Sequence, residues 1–131
     1  MPDRIPFVSY LVLGEDPHLV AGECTSCGAL YFDRRNACAN CGQREFRGRA
    51  LSNDGVVRAF TIVYRATPDV AVPYVSAVVD LDGGGTAKAN IVGTEPTADQ
   101  VRLGMKVRLT TFPVGTDRDG TQAIAFGYEP A

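Results

Sequence analysis

Histidine is nearly missing from this 131-residue chain, with His18 as its one example, and cysteine is limited to four. So few side chains able to titrate near neutrality or attack a carbonyl exclude most arrangements for acid–base or covalent catalysis. His18 sits in a Glu-Asp-Pro-His turn, the setting of a solvated surface residue. The chain has no Gly-x-Ser-x-Gly elbow, no His-Glu-x-x-His helix and no Walker loop. Gly83-Gly84-Gly85 lacks the Lys-Ser/Thr that follows a phosphate cradle and reads as a hairpin tip. The carboxylate pairs Asp80 with Asp82 and Asp117 with Asp119 fall in turn-forming sequence, where Asp is favoured for bonding to nearby backbone.

Long apolar runs are also missing. The longest, residues 7–13, contains Ser9 and Tyr10 and ends at Gly14-Glu15-Asp16-Pro17, too short to span a bilayer. With Asp3 beside Arg4 there is no basic n-region of a signal peptide, so no membrane association and a cytoplasmic location are expected. Net charge is only -2 and the sequence pI about 5.3, a poor balance for a general nucleic-acid binder. The charge is uneven, however. Between Arg34 and Arg65 stand seven arginines (Arg34, Arg35, Arg44, Arg47, Arg49, Arg58, Arg65) against Glu45 and Asp54, a local net of +5. Such a stretch suits a phosphate-bearing ligand or an acidic partner; a solvated face around a small module is the plainer reading and the preferred one.

What the chain does have is a doubled knuckle. Cys24-Thr25-Ser26-Cys27-Gly28 and Cys38-Ala39-Asn40-Cys41-Gly42 are separated by ten residues. Each pair can turn both sulfurs toward one point, and the following glycine can take the positive φ that brings backbone amides close to the sulfurs. Four thiolates suit zinc best, with iron the rival because a rubredoxin uses the same knuckles. Two disulfides are the competing reading, but the spacing puts each pair on one turn and nothing at the N-terminus suggests export. A closed tetrathiolate leaves no open coordination position, so the metal at Cys24, Cys27, Cys38 and Cys41 reads as structural.

Past the knuckles the periodicity changes to that of strands. Residues 56–65 form a long β-branched segment with Phe60, Ile62 and Tyr64 on one face, preceded by Asn53-Asp54-Gly55 as a turn. Residues 74–81 alternate, with Val75, Ala77, Val79 and Leu81 inward, and the glycine-rich tip leads to a returning strand at 86–92. Thr97-Ala98-Asp99-Gln100 has capping-box form and predicts one or two helical turns ending at Gly104. Residues 105–112 and 123–127 supply two further strands. The expectation is a mainly β chain: an N-terminal segment and zinc ribbon over 1–50, then a five-stranded OB-fold Greek-key barrel over 51–131.

An ordered set of phrases supports this division. After the knuckles come Gly55-Val56-Val57, Pro73-Tyr74, Val79-Asp80-Leu81-Asp82-Gly83, Asn90-Ile91-Val92-Gly93, Leu103-Gly104-Met105-Lys106-Val107 and Phe126. Over about residues 20–128 the chain resembles a bacterial and archaeal family described as a rubredoxin-like zinc ribbon followed by an acyl-CoA-associated OB-fold domain. It departs from that family at the front, where an aromatic-rich helix is usual and Pro6-Phe7-Val8-Ser9-Tyr10-Leu11-Val12-Leu13-Gly14 stands instead. The resemblance implies an accessory subunit, without catalytic residues, of a thiolase-superfamily enzyme: a thiolase, an acyltransferase or a steroid side-chain aldolase of lipid or steroid metabolism. It also implies docking beside the partner's active-site entrance, indirect contact with acyl-CoA through a shared channel, and a two-plus-two hetero-oligomer. The competing class is a nucleic-acid-binding protein, with Tyr64 and Tyr74 as its best stacking residues.

Overall fold

The computed structural model describes residues 4–32, 36–68, 70–116 and 118–131. Ten strands make up its regular structure: β1 (Arg4–Pro6), β2 (Leu11–Val12), β3 (His18–Cys24), β4 (Leu30–Tyr31), β5 (Phe46–Ala50), β6 (Asp54–Val63), β7 (Tyr74–Leu81), β8 (Thr86–Ile91), β9 (Lys106–Thr116) and β10 (Gln122–Pro130). Among the described residues no helix is long and apolar enough to cross a membrane.

Strands β6 to β10 close on themselves. β6 pairs antiparallel with β7, and β7 with β8; β10 runs parallel to β8 and antiparallel to β9, and β9 returns to the start of β6. The parallel contact is the hallmark of the Greek-key step, because the segment after β8 must cross the barrel before β9 can begin. Closure leaves no open edge among these five strands. Alternation decides which side chains fill the interior. Val75, Ala77, Val79 and Leu81 of β7 are all buried, and Ala87, Ile91, Val107 and Leu109 meet them from β8 and β9. Tyr128 of β10 is fully buried at the same core, edge-on to Phe126.

Two sequence expectations change here. The capping-box segment makes no helix: the Thr97 carbonyl accepts from both Gln100 and Val101, and then Gly104 donates to Val57 of the barrel. One turn cannot repay the cost of helix nucleation when the next residues are already committed to a strand. Gly55, read as a turn residue, lies inside β6, paired with Leu81 on one side and Val107 on the other. A Cβ there would come 2.5 Å from the Asp80 carbonyl oxygen, so the glycine serves a close strand crossing.

The knuckle-bearing segment rests against this barrel. β3 pairs with β2, β4 and β5, and its inward residues Leu19 and Ala21 join the barrel's own core cluster together with Leu11 and Leu51. Ahead of it, β1 adds to the barrel sheet in parallel with β10, Ile5 opposite Ala123. The polypeptide thus touches the barrel, leaves to build the knuckles, and comes back.

Candidate metal centre

The four cysteine sulfurs lie within 4.8 Å of one another. Two structurally equivalent turns bring them there. At the end of β3 the Cys24 carbonyl accepts from the Gly28 amide at 2.9 Å and the Cys24 amide donates to Ala29. In the second knuckle the Cys38 carbonyl accepts from Gly42 at 2.8 Å and the Cys38 amide donates to Gln43. Gly28 and Gly42 carry matching φ values of 81° and 79°, in the left-handed region that a side chain disfavours. The shortest sulfur separations are 3.5 Å for Cys24 with Cys41 and 3.6 Å for Cys27 with Cys38. A tetrahedral ion with metal–sulfur bonds of about 2.3 Å sets its ligand atoms about 3.8 Å apart, so the two short pairs are close to the spacing such an ion imposes.

The surroundings of the sulfurs pull their titration in two directions. The amides of Cys27 and Ser26 pull the Cys24 thiol below the ordinary cysteine value. The Tyr31 hydroxyl, against the effect of burial and with help from the Cys41 and Asn40 amides, lowers Cys38 to about 6. Cys41 is drawn down by the Gln43 amide, yet desolvation and the sulfurs of Cys24, Cys27 and Cys38 lift it to about 12. Four like charges cannot be held this closely without a cation between them. Cys24 and Cys38 are buried, whereas Cys27 and Cys41 reach the surface.

Two side chains of this region were not singled out from the sequence. Tyr31, on β4, places its hydroxyl 3.5 Å from the Cys38 sulfur and accepts from the Ala39 amide at 3.0 Å. Glu23 is buried beside the first ligand and holds two arginines. Arg47 Nε donates to Oε1 at 2.7 Å, and Arg49 Nη1 donates to Oε2 at 2.8 Å. Arg49 then reaches the barrel, where its Nη2 donates to the Gly83 carbonyl at 2.6 Å. This chain of bonds ties the knuckle module to the β7–β8 hairpin tip. Beside it, Leu30, Tyr31, Phe32, Leu51 and Gly85 line an open cavity of about 330 Å³. Only the inward alternation Leu19, Ala21, Glu23 along β3 hints at the carboxylate in sequence; its cross-strand partners come from register, which sequence does not display.

Among the described residues, several arginines of this stretch and its surroundings face carboxylates and do not converge on a phosphate site. Arg47 and Arg49 hold Glu23, Arg58 lies 3.8 Å from Asp80, and Arg108 of β9 bonds Asp54. Arg34 and Arg35 lie outside the described residues, as does Asp117. Asp80 also accepts from Thr86 across the hairpin, a structural use rather than half of a catalytic pair. His18 bonds the Asp16 carbonyl through Nδ1. Tyr64 is exposed and Tyr74 half-buried, at opposite ends of the loop between β6 and β7.

Comparison with known proteins adds the following. Residues 13–47 match the family model for the ChsH2 rubredoxin-like zinc ribbon domain, and residues 48–112 match that for the ChsH2 C-terminal OB-fold domain. A DUF35 domain-containing scaffold protein of Methanocaldococcus jannaschii is 30% identical over 130 residues, covering 97% of this chain and 90% of that one. The benzoylsuccinyl-CoA thiolase subunit BbsA of Geobacter metallireducens is 31% identical over 113 residues, 86% and 75% of the two chains. Among solved structures, the Ltp2-ChsH2(DUF35) aldolase superposes with a TM-score of 0.66 at 25% identity, covering 86% of this chain and 84% of that one.

Proposed function

Because the chain belongs to the family that joins a rubredoxin-like zinc ribbon to an OB-fold barrel, we propose that it is the non-catalytic partner subunit of a thiolase-type enzyme acting on acyl-CoA thioesters. One observation carries the reading: all four thiols converge on a single cage, which leaves the chain no cysteine nucleophile. The relatives named as a thiolase subunit, a scaffold protein and an aldolase complex point to the same role. In it, Cys24, Cys27, Cys38 and Cys41 hold one zinc ion, which when bound supplies folding free energy to the ribbon and no chemistry to a substrate. The N-terminal segment and ribbon over 1–50 and the barrel over 51–131 act as two modules tied by Glu23 and Arg49.

The surface fits a docking role. Phe7 and Leu103 are each 65% exposed and Tyr64 67% exposed, large apolar side chains of the kind that anchor interfaces. The ribbon and one barrel face make the contact, two small subunits flank a dimeric partner, and the assembly handles acyl-CoA esters in lipid or steroid metabolism. The small subunit completes the channel for the thioester without binding its reacting carbon. Four reduced thiols suit the reducing cytoplasm. The nucleic-acid alternative is weaker, because Arg47, Arg49 and Arg58 lie against carboxylates, Tyr74 is half-buried, and the relatives are named as a thiolase subunit, a scaffold protein and an aldolase complex.

Size-exclusion chromatography with light scattering on the chain co-expressed with thiolase-fold candidates tests the proposal. A stable larger species of two plus two copies is expected, while the isolated chain shows no turnover of acyl-CoA esters. A chain that stays monomeric beside every candidate, or that hydrolyses or cleaves the esters alone, refutes it.

A further inference from the structure

The two knuckles are alike in backbone, but they differ in what reaches the sulfur. In the second knuckle Cys38 receives the Asn40 amide at 3.4 Å and, from outside the turn, the hydroxyl of Tyr31 at 3.5 Å. The Tyr31 oxygen also accepts from the Ala39 amide at 3.0 Å, and the direction of the bond to sulfur follows from the ligand's own charge. A metal-bound cysteine is a thiolate with no proton to give, so the phenol must be the donor. The ring is held for this task. β4 pairs with β3 through Gly22 opposite Tyr31, and Phe46 at the head of β5 meets the Tyr31 ring edge-on at 6.0 Å between centroids.

We propose that Tyr31 is a positioning residue of the metal centre, its hydroxyl donating to the Cys38 thiolate while bracing the second knuckle against β4. Two consequences follow from elementary chemistry. A hydrogen bond to a thiolate withdraws electron density from sulfur, so the Cys38–metal bond becomes less covalent and the sulfur less open to protons and electrophiles. The bond to Ala39 also fixes the backbone between the third and fourth ligands, so the cage is preorganised before the ion arrives.

The inference rests on the four-cysteine site proposed above, and metal content of the wild-type chain tests that site separately. The test of Tyr31 itself uses the full chain loaded with cobalt(II), whose sulfur-to-metal charge-transfer band reports the electron richness of the ligands. Tyr31→Phe keeps the ring against Phe46 and removes only the hydroxyl. The expected result is a band moved to longer wavelength, together with a metal affinity about 10-fold to 100-fold lower, measured by competition with a chelator. Replacing Tyr31 with 3-fluorotyrosine, a stronger hydrogen-bond donor of nearly the same shape, should move the band the opposite way and remains informative if Tyr31→Phe fails to fold. A band that stays in place in both variants overturns the proposal. Faster metal loss from Tyr31→Phe with an unmoved band overturns it too, since that outcome belongs to packing alone.

Discussion

Replacing Gly55 by alanine adds one methyl group at a point where the barrel has no space for it. The new Cβ would lie 2.5 Å from the Asp80 carbonyl oxygen and 2.9 Å from Val79 Cγ1. The first separation is about 1 Å short of ordinary van der Waals contact. Neither neighbour can yield cheaply. Asp80 presents a backbone atom of β7, and β7 is pinned by Val75 and Val79, which have no exposed surface, and by Ala77. On the other side Gly55 pairs with Val107, so β6 cannot retreat without opening the barrel at its β6–β9 seam. Overpacking of this kind costs about 1–3 kcal/mol, and a clash with backbone belongs near the upper end. For a chain of this size that is a fall of roughly 10 °C in the melting midpoint. Urea unfolding with zinc held in excess should show a lower midpoint and an unchanged slope. Gly115→Ala supplies the control, because a Cβ there meets nothing within 4 Å and its stability should stay within about 0.5 kcal/mol of wild type. A Gly55→Ala protein as stable as the control would refute the reasoning that strand crossing, and not turn formation, requires this glycine.

Glu23 is held below the ordinary glutamate value first by its bond to Arg47 and then by that to Arg49. A lowered carboxyl pKa contributes stability that is present above the unfolded value and lost as pH falls through the folded one. Glu23→Gln should therefore destabilise the zinc-loaded chain at pH 7, by an amount that shrinks as pH falls through the carboxylate range; a difference from wild type that does not change with pH would contradict the ion network. Elemental analysis of freshly prepared protein should find one zinc per chain. Cys38→Ser should lose that metal and the ribbon's dispersed amide resonances while the barrel keeps its strand signal in circular dichroism, and complete unfolding would show that the two parts do not stand as modules.

How much of this was legible in sequence depends on how each segment carries its information. β7 was readable residue by residue, because Val75, Ala77, Val79 and Leu81 alternate with Ser76, Val78 and Asp80 and a half-buried strand has only that period. The knuckles were readable because metal ligation requires a fixed spacing. β9 and β10 run further than expected, to Thr116 and from Gln122. Phe112-Pro113-Val114-Gly115 looks like loop sequence, yet the register shift opposite Ala123 and Ile124 lets the ladder continue past the proline. β1 and β2 are three and two residues long, too short for any period to show. Tyr31 and Glu23 were missed for another reason: both act through partners that sequence does not place beside them, Cys38 carried back by the second knuckle for one and Arg47 with Arg49, brought by the β3–β5 pairing, for the other.

The parallel pairing of β1 with β10 gives the ribbon an unusual topological position. A module joined to its neighbour by one strand of chain can swing, detach or be clipped away. Here the knuckles occupy a closed excursion whose outward limb is fastened at Ile5 opposite Ala123 and whose return limb runs through Leu51 into β6. A single proteolytic cut among the knuckles would therefore not release a domain; both stubs would remain fastened to the same barrel. It also ties the start of the described chain to β10, a contact very distant in sequence, of the kind that slows folding. In the folded protein the ribbon is captive to the barrel at both of its ends.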